Sequence, residues 1–339
     1  MESWVVAADD RTGALEIAAE MAVVVGAPAS VVVGAPLGAA CVVDLGSRAL
    51  PAGAAAAAAA QVDAVRAEWT AHKIDSTLRG NWAVELAARQ LVLLRPVVML
   101  PAWPAMGRTC RDGVVHVQGT PVAAVGEGLP RARRVTLREL GAGLEGTAMV
   151  WLDLETDADL VAAAEVVAPL HVLVAGPAGA LGAVARARFG PGRVAGGDPL
   201  PAGPPLAGPV APGLVPEGPV LVVCGSATEA SALQLAALAA ACPDIEIAAA
   251  PPASGPLDPS AAERLAARVR SRLHEFATVV VIGGDTAAAV LGNGPRLVGG
   301  YAAPGMPVSR AADGSGPVVV TKAGGFGPPD ALVALLRRA

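Results

Sequence analysis

The sequence predicts an α/β protein of two domains, each a mostly parallel sheet flanked by helices, with a ligand cleft between them. Three observations predict it. Short runs of apolar, often β-branched residues alternate with alanine-rich segments of helical length, the rhythm of strand, crossover helix and strand. The chain has 339 residues, more than a single core comfortably serves. Hydrophobic residues make up 53% and charged residues only 16%, a balance that suits sheets buried on both faces. With five Trp, three Phe and one Tyr in the whole chain, small side chains must fill most of that core.

The elements follow in order. WVVAA, residues 4–8, is a wholly apolar run of strand length, and further strands are expected over 30–33, 40–44, 96–100, 149–152 and 171–175. Between them, alanine-rich runs predict helices over 12–25, 54–70, 82–93, 157–168 and 180–188. GRTCRDGVVHVQGTPV, residues 107–122, alternates apolar and polar positions around Asp112-Gly113 and reads as a hairpin leaving the sheet. From 190 to 218 the chain becomes GPGRVAGGDPLPAGPPLAGPVAPGLVPEG, where proline and glycine disfavour helix and strand together. This divides the chain into a domain over 1–195, a linker over 196–217 and a second domain over 218–339. Beyond the linker, strands are expected over 220–223, 245–249, 278–282 and 318–321, with helices from 228, over 259–276, from 285 and over 329–338.

Composition excludes several classes of function. The net charge is −5 and no run of like charge occurs, so neither nucleic acid nor an anionic membrane is an expected partner. Cys41, Cys110, Cys224 and Cys242 have no CxxC spacing, and His72, His116, His171 and His274 are scattered. That pattern argues against a disulfide framework or a zinc site and for a reducing, cytoplasmic setting. No basic leader precedes the first strand. The alanine-rich run over 49–60 is about 12 residues, short of the roughly 20 needed to span a bilayer.

The chemistry concentrates at strand ends, where open α/β sheets collect ligands because helix N-termini present free N–H groups there. In AADDRTGALE, Asp9 and Asp10 leave the first strand and Thr12-Gly13 opens a helix. One aspartate is an ordinary N-cap; two exceed what capping requires. HKIDSTLRG places Lys73, Asp75, Ser76, Thr77 and Arg79 within seven positions of an otherwise apolar chain. Lys73 and Arg79 suit a carboxylate, and Asp75 with the hydroxyls suits a polyol; the plainer alternative is a solvated loop with internal ion pairs. PAWPAMGRTCRDG offers a further guanidinium at Arg108, and DLGSR offers Ser47 and Arg48 at another strand end. Together these loops form an oxygen-rich, cationic crevice for a small hydroxy acid.

The second half carries different loops: CGSAT with Ser226 and Thr228, GGDT with Gly283, Gly284, Asp285 and Thr286, and KAGGFG with Lys322, Gly324 and Gly325. Each sets glycine beside hydroxyl or lysine between an expected strand and helix, so that backbone N–H groups can approach phosphate oxygens. Neither a GxxxxGK[ST] loop nor a GxGxxG fingerprint in strand-turn-helix position occurs. Three such loops in one domain point to a nucleotide.

On these motifs the sequence resembles the four-carbon acid sugar kinase family. The blocks occur in order along nearly the whole chain: ADDRTGA, DLGSR, KIDSTLRG, PAMGRT with RDG, AGPAG, CGSAT, GGDTA and KAGGFG. The resemblance implies an N-terminal domain that binds a sugar acid such as threonate or erythronate and a C-terminal domain that binds ATP with magnesium. It places Asp10, Lys73, Asp75, Ser76 and Arg79 on substrate positions, and Ser226, the 283–286 loop and Gly324 on nucleotide positions. The chain departs from the family pattern at Arg11, where leucine is usual, at Ala323, where serine is usual, and at Ile282, where threonine is common.

The expected activity is therefore ATP-dependent phosphorylation of a hydroxyl of a small sugar acid. Lys73 and Arg79 would hold the carboxylate, and Asp10 or Asp75 would bind the hydroxyls and orient the attacking oxygen, with Asp285 the rival base or magnesium contact. A non-catalytic acid-binding protein is the alternative raised by Ala323 and Ile282. A nicotinamide-dependent hydroxy-acid dehydrogenase fits the architecture but lacks the glycine fingerprint. The metal ligands and oligomeric state, a homodimer included, are left open by the sequence.

Overall fold

Five consecutive buried residues, Trp4–Ala8, form strand β1, and a strand buried on both faces requires helices on both sides of its sheet. The computed structural model describes residues 3–38, 40–144, 148–190, 218–250 and 260–337. The chain divides into two compact units, Met1–Asp198 and Pro199–Ala339. The expected linker over 196–217 lies outside the described residues.

In the first unit β1 leads to α1 (Arg11–Val25), β2 (Ala29–Val33), β3 (Ala40–Asp44), α2 (Ala52–Val62), β4 (Trp69–Lys73), α3 (Trp82–Leu93) and β5 (Val97–Met99). An excursion of three short strands, β6 (Arg108–Arg111), β7 (Val114–Val117) and β8 (Thr120–Ala124), comes next. The unit is completed by α4 (Val125–Gly128), β9 (Arg133–Arg134), α5 (Leu137–Gly141), β10 (Met149–Trp151), α6 (Asp157–Val167), β11 (Leu173–Gly176) and α7 (Ala178–Phe189). The strand order is β2-β3-β1-β4-β11-β5-β10-β9, and its pairings are parallel. Because the strands run the same way, Ala8, Asp44 and Lys73 lie in register at one edge, and the loops after β1, β3 and β4 gather there.

The expected helix over 54–70 needs correction. α2 stops at Val62, and Trp69–Lys73 is instead a fully buried strand between β1 and β11. Asp63 ends the helix, and its carboxylate takes a two-pronged ion pair from buried Arg89 of α3, at 2.9 and 2.7 Å. Trp69 then packs edge-on against Phe189 of α7, with ring centroids 5.6 Å apart. The alanine run hides this change of period. The excursion over 107–122 does form a hairpin: Asp112 and Gly113 have φ of 52° and 73°, the left-handed pair that a two-residue turn between twisted strands requires, and β8 extends it to three strands.

The second unit comprises β12 (Val220–Cys224), α8 (Glu229–Ala241), β13 (Glu246–Ala249), α9 (Ala261–Arg270), β14 (Thr278–Ile282), α10 (Gly284–Leu291), β15 (Arg296–Ala303), β16 (Met306–Ala311), β17 (Val318–Lys322) and α11 (Ala331–Leu336). Its order is β13-β12-β14-β17-β16-β15, parallel through β17 and antiparallel for the last two strands. Period-two alternation sends Leu221, Val223, Val279 and Val281 to the face covered by Leu265, Val269 and Val290. Val222, Val280 and Ile282 face Leu238, Leu332 and Leu335 on the other side. The β15–β16 hairpin was not expected; its turn at Pro304-Gly305 is the signal in the sequence. α9 is shorter than the expected 259–276, because Leu273–Glu275 forms a separate 3₁₀ turn. No helix of the described residues is long and apolar enough to cross a membrane.

Candidate active site

The substrate-side residues converge at the loops after β1, β3 and β4. Arg48 is the centre. Its Nε and Nη2 donate to the two oxygens of Asp9 at 2.8 and 3.1 Å, its Nη1 donates to Asp10 at 2.9 Å, and Nη2 lies 3.6 Å from Asp75. One guanidinium thus gathers carboxylates from two loops onto a third, a task for which its planar fork is suited. Backbone bonds fix the same junction, with Ser47 N and Arg48 N donating to Asp9 O. Asp10 also caps α1, accepting from Gly13 N at 2.9 Å.

Asp75 is held more tightly than Asp10. Its Oδ2 accepts from Thr77 Oγ1 at 2.5 Å and Arg79 Nε at 2.9 Å, while Oδ1 accepts from Arg79 Nη2 at 2.8 Å. Burial works against ionisation, yet the bonds from Arg79, the charge of Arg48 and the bond from Thr77 hold the Asp75 carboxyl far below the usual range. Asp9 goes the other way: burial pushes it up, with Lys73 opposing and Asp10 reinforcing. Lys73 is buried at the end of β4, and among the described residues its ammonium has no hydrogen-bond or ion-pair partner. Its ammonium lies under Gly13, where a Cβ would fall only 2.5 Å from Nζ. Ser76 is half-buried in the same turn and Arg79 is largely exposed. Arg108, half-buried on β6, is lowered by burial against the charges of Glu16 and Asp75, which places it toward the same cluster.

The three glycine loops of the second unit also meet one another. A Cβ at Gly324 would lie 2.0 Å from Ser226 Oγ, and one at Gly225 would lie 2.1 Å from Thr286 Oγ1. These contacts leave no room for a side chain. Thr228 and Ser231 both donate to Gly324 O at 2.9 Å, and buried Gln234 reaches the carbonyls of Phe326, Gly327 and Pro328 at 2.9 to 3.0 Å. Gly283, with φ of 105°, precedes α10 without a side-chain cap, so no side chain of that position satisfies the first N–H groups of the helix. Asp285 is exposed in its first turn and Gly325 is exposed on the neighbouring loop. Lys322 is buried and donates to Ala323 O at 2.9 Å, and burial pulls its ammonium down to about 8.

Three features escaped sequence reasoning. Arg11, a departure from the family pattern, forms a buried ion pair with Asp44 at 2.5 Å; it braces α1 against β3. Behind Lys73, His72 and Glu85 form a fully buried pair at 3.0 Å. Glu16 of α1 is buried beside the acid-side cluster. An acidic residue three positions after Gly13, amid the apolar Ala14–Ala19 stretch of the helix, is the available signal.

Known proteins resemble this chain in sequence and in fold. The family described as sugar-binding N-terminal domain matches residues 4–127. A D-threonate kinase of Bordetella bronchiseptica is 32% identical over 334 residues, covering 83% of this chain and 81% of that protein. A D-threonate kinase of Cupriavidus necator is 38% identical over 170 residues, spanning 41% of this chain and 40% of the relative. The crystal structure of Haemophilus influenzae protein HI1011, of the DUF1537 family, shares the fold with a TM-score of 0.66 at 19% identity, over 98% of both chains.

Proposed function

The chain belongs to the four-carbon acid sugar kinase family, and on that premise we propose that it transfers the γ-phosphoryl group of ATP to a hydroxyl of a four-carbon sugar acid of the threonate or erythronate type. The observation that carries the reading is the acid-side cluster: Arg48 holds Asp9 and Asp10 while Lys73 stays buried and uncommitted beside them. A hydroxy acid needs that combination, a cation for its carboxylate and fixed carboxylates for its hydroxyls.

Lys73 takes the carboxylate, assisted by Arg79 and Arg108. Asp75 is saturated by Arg79 and Thr77, so its role is to organise the loop. Asp10 accepts one bond from Gly13 and one from Arg48, and its remaining lone pairs are placed to orient the attacking hydroxyl. Phosphoryl transfer asks chiefly for such alignment and for charge on the phosphates. The free N–H groups at the start of α10, with Ser226, Thr228 and Thr286, suit the phosphates. The oxygen donors here, Asp285 and the neighbouring hydroxyls, fit magnesium, which when bound neutralises phosphate charge. The four free cysteines, three of them buried, suit a reducing cytoplasm.

The test is ATP consumption by the full chain against a panel of four-carbon sugar acids, with phosphorylated product identified by mass. Acid-dependent consumption with a stoichiometric phosphorylated acid is expected. Consumption independent of every acid, or none, overturns the proposal.

A further inference from the structure

The face of helix α1 that begins at Gly13 turns toward the cluster. Gly13 opens that face, since a Cβ there would lie 2.5 Å from Lys73 Nζ and 2.7 Å from Asp10 Oδ1. Glu16 follows three residues later, hence one turn along the same face, and it is 8% exposed. Glu20, a further turn on, pairs with Arg186 of α7 at 2.7 Å. Glu16 is therefore a buried acid one turn along the face of α1 that meets Lys73.

The groups that act on Glu16 lie on three loops of the cluster: Lys73 and Asp75 at and after the end of β4, Asp10 ahead of α1 and Arg48 after β3, with Arg108 of β6 responding to its charge. Toward β3, the Arg11–Asp44 pair is self-neutralising. Burial pushes the Glu16 carboxyl up to about 7, with Lys73 opposing and Asp10 and Asp75 reinforcing. At neutral pH it is poised between acceptor and donor.

We propose that Glu16 is a further binding residue of the sugar-acid site, entering the complex as a neutral carboxylic acid that donates a hydrogen bond to an oxygen of the substrate. The proposal rests on the sugar-acid reading above. An anion bound beside Lys73 adds negative charge next to Glu16 and favours its protonated form. Binding at a pH where the free protein has lost this proton must therefore take one up, and affinity then falls with rising pH, approaching about tenfold per pH unit. The proton passes from solvent to the Glu16 carboxylate, and no bond in the substrate changes.

The experiment is calorimetric titration of the full chain with D-threonate and D-erythronate from about pH 6 to about pH 9, in buffers of different ionisation enthalpy. For the wild type, affinity is expected to decline above about pH 7, with proton uptake reported by the buffer dependence of the heat. In Glu16→Gln, whose amide donates at every pH, the proton uptake and the pH decline should vanish while affinity stays near the wild-type low-pH value. Acid binding by the wild type without proton uptake, or a Glu16→Gln variant that keeps the wild-type pH slope, overturns the donor role and leaves the sugar-acid reading standing. A wild type that binds neither acid at any pH overturns that reading and the donor role with it.

Discussion

The two proposed ligand regions are built from opposite materials. The loops of the first unit use charge: Arg48 alone is tied to Asp9 and Asp10, Arg79 is tied to Asp75, and Lys73 waits beside them. Those of the second unit use absence of bulk, with Gly225 and Gly324 packed so closely on Thr286 and Ser226 that no Cβ fits, and with hydroxyls tying backbone to backbone. The difference follows from what each ligand offers. A small hydroxy acid has to be read by its own charge and hydroxyls, and that calls for fixed side chains. A phosphate tail is well served by backbone N–H groups, which cost no side-chain ordering. Under the proposed function, specificity for the acid would reside in side chains and affinity for the nucleotide in loop shape.

Substitutions should separate the two designs. The largest effect is expected from Arg48→Ala, which takes from buried Asp9 the guanidinium paired with it; removal of one partner from a buried pair costs about 3–5 kcal/mol. Thermal unfolding should show the loss, together with loss of acid binding. Next comes the pH dependence of stability. Glu16 rises from 4.5 to about 7 in the folded chain, so the stability it confers is present at low pH and lost as pH rises through about 7. Glu16→Gln should accordingly be as stable as the wild type near pH 4 and more stable above about pH 8, by up to roughly 3 kcal/mol, as read by denaturant titration at the two pH values. Gly324→Ala drives a methyl group into Ser226 and should weaken ATP binding about tenfold, or 1.4 kcal/mol, with acid binding unchanged in calorimetry. Smallest is Arg79→Lys. The side chain is 67% exposed, so stability should change by less than about 1 kcal/mol, while loss of the planar fork lowers acid affinity more than ATP affinity.

Much of this architecture was legible because period and position carried it. β1, β3, β14 and the Asp112-Gly113 turn follow from apolar runs and turn chemistry, and the acid-side cluster follows from too many polar residues in too apolar a chain. β4 was not legible. The alanine-rich run ahead of it continues in composition past the end of the helix, and only the tertiary pair Asp63–Arg89 marks where α2 stops. Arg11 reads as a departure from the family pattern, and its partner Asp44, 33 residues away, is not visible from local sequence; Glu16 goes unnoticed because an acid on a helix is most often a solvated one. Pairings across such separations are fixed by sheet order, which no local pattern reveals.

The most direct measurement is calorimetric titration of Lys73→Met with D-threonate and, separately, with ATP. Methionine keeps an unbranched side chain one atom shorter and removes the buried charge beneath Gly13. The division of labour set out here requires that acid binding be lost while ATP binding stays at its wild-type strength. Acid affinity equal to the wild type, or equal losses for both ligands, would contradict it.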